Sequence, residues 1–330
     1  MLTTRTPAVL LDQQASVLRT QLDGIYDAGV DAIHDARVAT RRIRELLALV
    51  PTLPGRDGVE DVAGSYKEIG RALGKVRDID VQIALIGSLE THAPQTAPSL
   101  VLVRQDHERD RLSKMRRLIK TLERLDVQQL LSAMSTRHPA GPRMRLTSGA
   151  WRQQFRRLVA ERARTALESI AHATGVYFPN RVHAVRIAIK KLRYAAEIAE
   201  GTSLADLRAP IKELRKGQEI LGHLHDRQEL SDTLLGYKKD DGVDADHVKL
   251  TRHVLEDEVL DLHSNYLGRR AGIRDACAEV ERMTTRVFRP TPAIAVGSAI
   301  AVSSLVFALT RESRLSRAGA PSSRVLRDTA

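Results

Sequence analysis

Cysteine is nearly absent. Cys277 stands alone in 330 residues, which excludes a disulfide framework and any Cys-rich zinc site. Rings are scarce too: Phe, Trp and Tyr together make up 3%, with one tryptophan. Proteins that grip single-stranded nucleic acid usually stack bases on aromatics, so this scarcity counts against that class. No stretch alternates polar and apolar residues long enough to make strands. No Gly-rich loop ending in Lys-Ser or Lys-Thr occurs, and no His-Glu-x-x-His helix. The first residues, MLTTRTPAVLLDQQ, lack the apolar core of a secretory signal, and the cytoplasm is the expected compartment.

What remains is apolar and basic. Hydrophobic residues reach 42%, enough for a real core, and they are mostly Leu, Ile, Val and Ala, which favour helices. The length suits two ordinary domains or one large one. Lys and Arg number 52 against 41 Asp and Glu, a net charge of +11. That balance points to an anionic partner without saying which.

Helical periodicity dominates the chain. Thr6-Pro7 reads as an N-cap with proline in the first turn, and helices are expected over about 7–27, 31–50, 59–88 and 100–134. "RHPAGPRMRLTSG" then collects Pro and Gly and reads as a linker. Four further helices are expected over about 151–172, 182–201, 204–237 and 247–286. The reading is all-α, as two four-helix halves: residues 1–140, a linker at 141–149, and residues 150–288. Residues 289–330 form an apolar segment with a basic tail.

The second helix of each half carries the same charges. In "IHDARVATRRIRELLALV", His34, Arg37, Arg41, Arg42 and Arg44 fall in register with His183, Arg186, Lys190, Lys191 and Arg193 of "VHAVRIAIKKLRYAAEIA", offset by 149 residues with no gap. An internal repeat is the simplest account. On a helix His34, Arg37, Arg41 and Arg44 span an arc of roughly 80°, and the strip is about 15 Å long. Ala36, Ala39, Ile43, Leu46 and Leu47 take the opposite side. Like charges at i and i+4 oppose helix formation, and few acids lie in the strip to offset them. Lone basic rows are commonly just solvated. Two matched rows, each led by His, are better explained by an extended polyanion that neutralises them, and Arg offers phosphate a two-pronged hydrogen bond.

A second matched stretch follows each motif helix. "LGKVRDIDV" aligns with "LGHLHDRQE", pairing Gly74 with Gly222 and Asp78 with Asp226. The glycines suggest close helix approach, and the aspartates suit bridges that hold motif arginines in place. Lys67 aligns with Arg215 and extends the basic surface. Helix four offers Arg104, Arg111, Lys114 and Lys120 to the same groove, or else to a solvated face shared with Asp106, Glu108 and Asp110.

These residues resemble the CHAD family, the conserved histidine α-helical domain, whose pattern is His-x-x-Arg-x-x-x-[Arg/Lys]-[Arg/Lys]-x-Arg twice in one chain. The resemblance covers about residues 7–286. It implies a binding module for inorganic polyphosphate, with two halves related by a pseudo-two-fold and the basic helices lining a groove or pore between them. Carried over by position, the binding set is His34, Arg37, Arg41, Arg42, Arg44, His183, Arg186, Lys190, Lys191 and Arg193, with Lys67 and Arg215 added and Asp78 and Asp226 supporting. The chain departs from the pattern where His225, not Asn, precedes Asp226. The Glu-x-Glu-x-Lys strand of the triphosphate tunnel enzymes that often accompany this domain is absent, so a stand-alone, non-catalytic module is expected, without metal or cofactor. Granule association fits. The rivals are a nucleic-acid binder, disfavoured by the missing motifs and rings, and a scaffold docking an acidic protein.

Residues 291–310 carry no charge and lie between Arg289 and Arg311. They have membrane-span length, but Ser, Gly and Thr make insertion marginal. A tail anchor, a helix packed on the bundle and a loose apolar tail all stay open, as does oligomeric state.

Overall fold

The computed structural model describes residues 6–48, 57–135, 151–237 and 244–285. Among them are nine α-helices, one short 3-10 turn and no strand, so the all-α expectation holds. The helices are α1 Pro7–Tyr26, α2 Val30–Leu47, α3 Asp57–His92, α4 Ala97–Arg124, α5 Val127–Ser135, α6 Trp151–His172, α7 Pro179–Gly201, α8 Arg208–Leu234 and α9 Ala245–Thr285. Everything described belongs to one compact unit, which ends at Thr285. The proposed linker at 141–149 and the apolar segment at 291–310 lie outside the described residues. No described helix is long and apolar enough to cross a membrane.

Local chemistry sets the helix ends. Thr6 caps α1, its Oγ1 accepting from the Val9 N–H at 3.4 Å, with Pro7 in the first turn. Ala28 takes a left-handed φ of 58°, and the Gly29 N–H reaches back to the Gly24 carbonyl at 2.8 Å. This 6→1 closure turns the chain sharply into α2. Ser203, φ 54°, ends α7 in the same way, with Leu204 N–H on the Ala199 carbonyl at 2.8 Å. The helix expected from residue 204 therefore begins only at Arg208.

The single helix expected over 100–134 is two. Asp126 adopts φ 40°, a region Asp tolerates better than most residues, and the chain restarts as α5, which packs back on α1. Successive helices pack as neighbours in two runs, α1–α2, α2–α3 and α3–α4, then α6–α7, α7–α8 and α8–α9, with α9 also closing on α6.

Two cores hold the helices together. The larger joins α1–α5 to α6–α9 through residues such as Leu11, Leu18, Ile43, Leu192 and Tyr266. The smaller combines Leu85, Ile86, Leu89, Leu100 and Val103 with Leu230, Leu234 and Leu255. A buried Ser99–Thr251 hydrogen bond of 2.7 Å lies alongside, as does Gln82 Nε2 donating to the Asp226 carbonyl at 3.0 Å.

The close helix approaches fall elsewhere than the paired glycines suggest. A Cβ at Gly24 would meet the Ala32 Cβ at 2.7 Å, and one at Gly217 the Ile273 Cδ1 at 2.7 Å. At Gly74 the nearest neighbour is instead the Arg37 guanidinium at 3.7 Å, and at Gly222 nothing lies within 4 Å.

Candidate anion-binding cavity

Helices α2, α3, α7 and α8 wall a cavity of about 640 Å³. Each motif helix buries an apolar face, Ala36, Ala39, Ile43 and Leu46 on α2, and Val185, Ile189, Leu192 and Ala196 on α7. The charged face is therefore left to look across the gap. From α2 come His34, Arg37, Arg41 and Arg42, and from α3 Arg77 and Asp78. From α7 come Arg186, Lys190, Arg193, Tyr194 and Glu197; from α8 come Arg215, Gln218, His225, Asp226 and Glu229. Eight Arg and Lys side chains thus face four carboxylates.

Not every residue of the motif reaches this space. Arg44 is exposed, with its Nη1 at 3.8 Å from where a Gly70 Cβ would stand. Lys191 and Lys67 are exposed too, and the Lys191 carbonyl accepts from Arg162 Nη1 at 3.2 Å. His183 is exposed and does not line the cavity; its ring centroid lies 5.1 Å from that of His225. Of the four cations expected from helix four, Lys120 is exposed and the other three are engaged elsewhere. Arg111 pairs with buried Asp80 at 2.5 Å and donates to the Ala28 carbonyl at 2.8 Å; Arg104 pairs with Glu90 at 2.7 Å and Lys114 with Asp110 at 3.3 Å.

The two aspartates differ. Asp78 bridges to Arg37 Nη2 at 3.1 Å, the role its spacing suggested. Asp226 lies deeper, and burial raises its pKa despite the opposing Arg186 charge. Glu229 accepts from His225, whose Nε2 lies 3.2 Å away, and that bond lowers the Glu229 pKa.

Three residues that the charge pattern passed over shape the site. Tyr194, 4% exposed, accepts a hydrogen bond from Arg41 Nη1, and its ring lies under the guanidiniums of Arg41 and Arg193 at 4.9 and 4.4 Å. Glu197 pairs with Arg193 at 2.5 Å and with Arg42 and Arg215 at 3.4 Å each. Gln218 Oε1 accepts from Arg193 Nε at 2.7 Å. Glu197 was legible in principle: it continues the row 183, 186, 190, 193 by one helical turn. The strip on α7 is thus less purely cationic than the motif alone implied.

The remaining cations crowd one another. Among the described residues, Arg41, Arg77, Arg186 and Lys190 have no ion-pair partner. Burial, then Arg41, Arg186 and Arg37, pulls the Lys190 pKa down to about 8. Burial and then Arg77 lower that of His34; burial, then His225, Arg186 and Lys190, lower that of His183. In each case burial is the largest cause and neighbouring cations add to it. Among the described residues no group of three or more His, Cys, Asp and Glu is placed to hold a metal ion.

The CHAD domain model matches residues 9–235, which include both motif helices and all of α8. Among solved structures, the crystal structure of the CHAD domain from the plant Ricinus communis is similar at a TM-score of 0.59 and 21% identity, covering 82% of this chain and 90% of that one. PptA from Streptomyces chartreusis is similar at a TM-score of 0.54 and 17% identity, covering 82% of this chain and 97% of that one. At these identities the likeness speaks to the fold. No curated protein matches the chain.

Proposed function

This chain belongs to the CHAD-domain family, and we propose that it binds inorganic polyphosphate, without catalysis, in the cavity between α2, α3, α7 and α8. One observation carries the reading: four helices drive eight cations into one space and, among the described residues, leave four of them without an ion-pair partner. Holding uncompensated like charges together costs stability, and a bound polyanion removes that cost. Phosphate suits the chemistry, because guanidinium forks give it paired, charge-assisted hydrogen bonds. A chain of phosphates suits the shape, because six of the eight cations are strung along α2 and α7. Binding needs only these cations on a rigid scaffold. The motif's expected reach to Arg44, Lys191 and Lys67 narrows to secondary contacts outside the cavity.

The test is a polyphosphate titration of the full chain and of the double variant Arg41→Glu, Lys190→Glu, which reverses one cation on each wall. The expected result is tight binding that weakens steeply with salt, as counterion release demands, and that the double variant loses. Binding that survives both reversals would leave the motif as scaffold. Duplex DNA should displace polyphosphate poorly, and incubation with divalent cations should release no phosphate. In cells that store polyphosphate the tagged chain should collect on those deposits.

A further inference from the structure

We infer that Glu197 sets how short an anion the cavity will hold. The inference rests on the polyphosphate reading above. Arg42, Arg193 and Arg215 come from three different helices and converge on one point, where their guanidiniums contact the Glu197 carboxylate at 3.4, 2.5 and 3.4 Å. Three arginine forks around one anionic group form a phosphate site by their own chemistry. Here the protein's own carboxylate occupies it. The Glu197 side chain is only 14% exposed, so it sits within the site.

A second observation places Glu197 at a boundary. A neighbouring cavity of about 290 Å³ shares Arg42, Tyr194, Glu197 and Arg215 with the basic one, and is otherwise lined by uncharged residues such as Leu10, Gln13, Gln14 and Leu46. Glu197 thus stands where the cationic path stops.

The consequence is selection by length. A short anion that reaches the arginine cluster exchanges one carboxylate for one phosphate group and gains little. A long chain is already held at Arg41, Arg77, Arg186 and Lys190, so its approach to the cluster is intramolecular and runs at high effective concentration. Long chains displace Glu197, and short ones leave it in place.

The experiment compares inorganic triphosphate with long-chain polyphosphate, by calorimetry on the full chain, for the wild type, Glu197→Gln and Glu197→Asp. In Glu197→Gln the triphosphate affinity should rise about tenfold, the worth of one charge-assisted contact, while long-chain affinity rises less, so discrimination narrows. Glu197→Asp, a shorter acid that lets go of part of the cluster, should fall between the two and serves if the glutamine variant does not fold. A triphosphate affinity unchanged or lowered in folded variants, with wild-type binding of long chains intact, overturns the inference and leaves Glu197 as a brace for the arginines. Absence of salt-sensitive polyphosphate binding by the wild type instead removes the functional reading beneath it.

Discussion

The two motif helices carry the same charges and use them differently. On α2, Arg44 faces Gly70, which offers it no side chain, and points into solvent. Its counterpart Arg193 on α7 faces Gln218, the residue aligned with Gly70, and is drawn into the cavity by Gln218 and Glu197. At the 149-residue offset of the two motif helices Glu197 corresponds to Ala48. Lys191 lies outside while Arg42 lies inside. The motif decides which helix face is charged. Neighbours on the next helix decide where each fork points, so a motif letter alone does not place a side chain in the cavity, and Arg77 and Arg215 line it from outside the motif.

Truncation breaks this comparison most severely. Arg193→Ala should cost polyphosphate affinity about ten- to a hundredfold, the worth of a lost charge-assisted contact, because it removes a cation and leaves Glu197 less compensated. Arg44→Ala should cost about twofold or less, as exposed charges contribute little. Equal losses in a titration series would mean that both forks reach the ligand.

Acidity offers the next contrast, since Arg41 and Lys190 are the aligned pair and only the lysine titrates in an accessible range. Its free pKa is about 8, and a bound polyanion raises it, so binding takes up a proton above that pH. Above about pH 8 affinity should fall by up to about tenfold per pH unit, the limit for one linked proton. In Lys190→Arg the fall should vanish. A wild-type profile flat to about pH 9.5 would mean that Lys190 is not near the bound anion.

A smaller effect should follow from Gln218→Ala, which takes from Arg193 the partner that Arg44 never had. A single hydrogen bond contributes about 1 kcal/mol, so affinity should drop only a few-fold, read in the same titration. The smallest effect separates Gly222 from Gly74. Gly222→Ala points a methyl into open space and should stabilise α8 by up to about 1 kcal/mol, with binding unchanged. Gly74→Ala gains the same helix preference but sets its methyl against the Arg37 guanidinium, so thermal melts should rise in both and affinity should slip only in the second.

The sequence made some of this plain and hid the rest. Apolar residues at helical spacing on α2 and α7 announced both helices and the faces they bury, and Asp78 announced its bridge to Arg37. The break at Asp126 stayed hidden because neither Gly nor Pro marks it; only Asp's tolerance of positive φ allows it. The α3 boundary ran past the expected residue 88 to His92 because Thr91 and His92 still suit a helix and Pro94 is the first true stop. Tyr194 and Glu197 lay inside the quoted motif run. Their partners Arg41, Arg42 and Arg215 come from two other helices, and no local spacing encodes a meeting between α2, α7 and α8.

The smaller core joins residues 85–103 to residues 230–255, and this has a consequence for how the chain acquires its grip. Helices form within about a microsecond from local contacts, but closing a loop of well over a hundred residues comes late. A ribosome delivers α2 long before α7 and α8. Until those helices arrive, the cations of α2 face water with no opposite wall, and the nascent chain is merely a basic peptide. On the reading proposed above, the anion site is therefore complete only in the finished protein, after α7 and α8 have closed on α2.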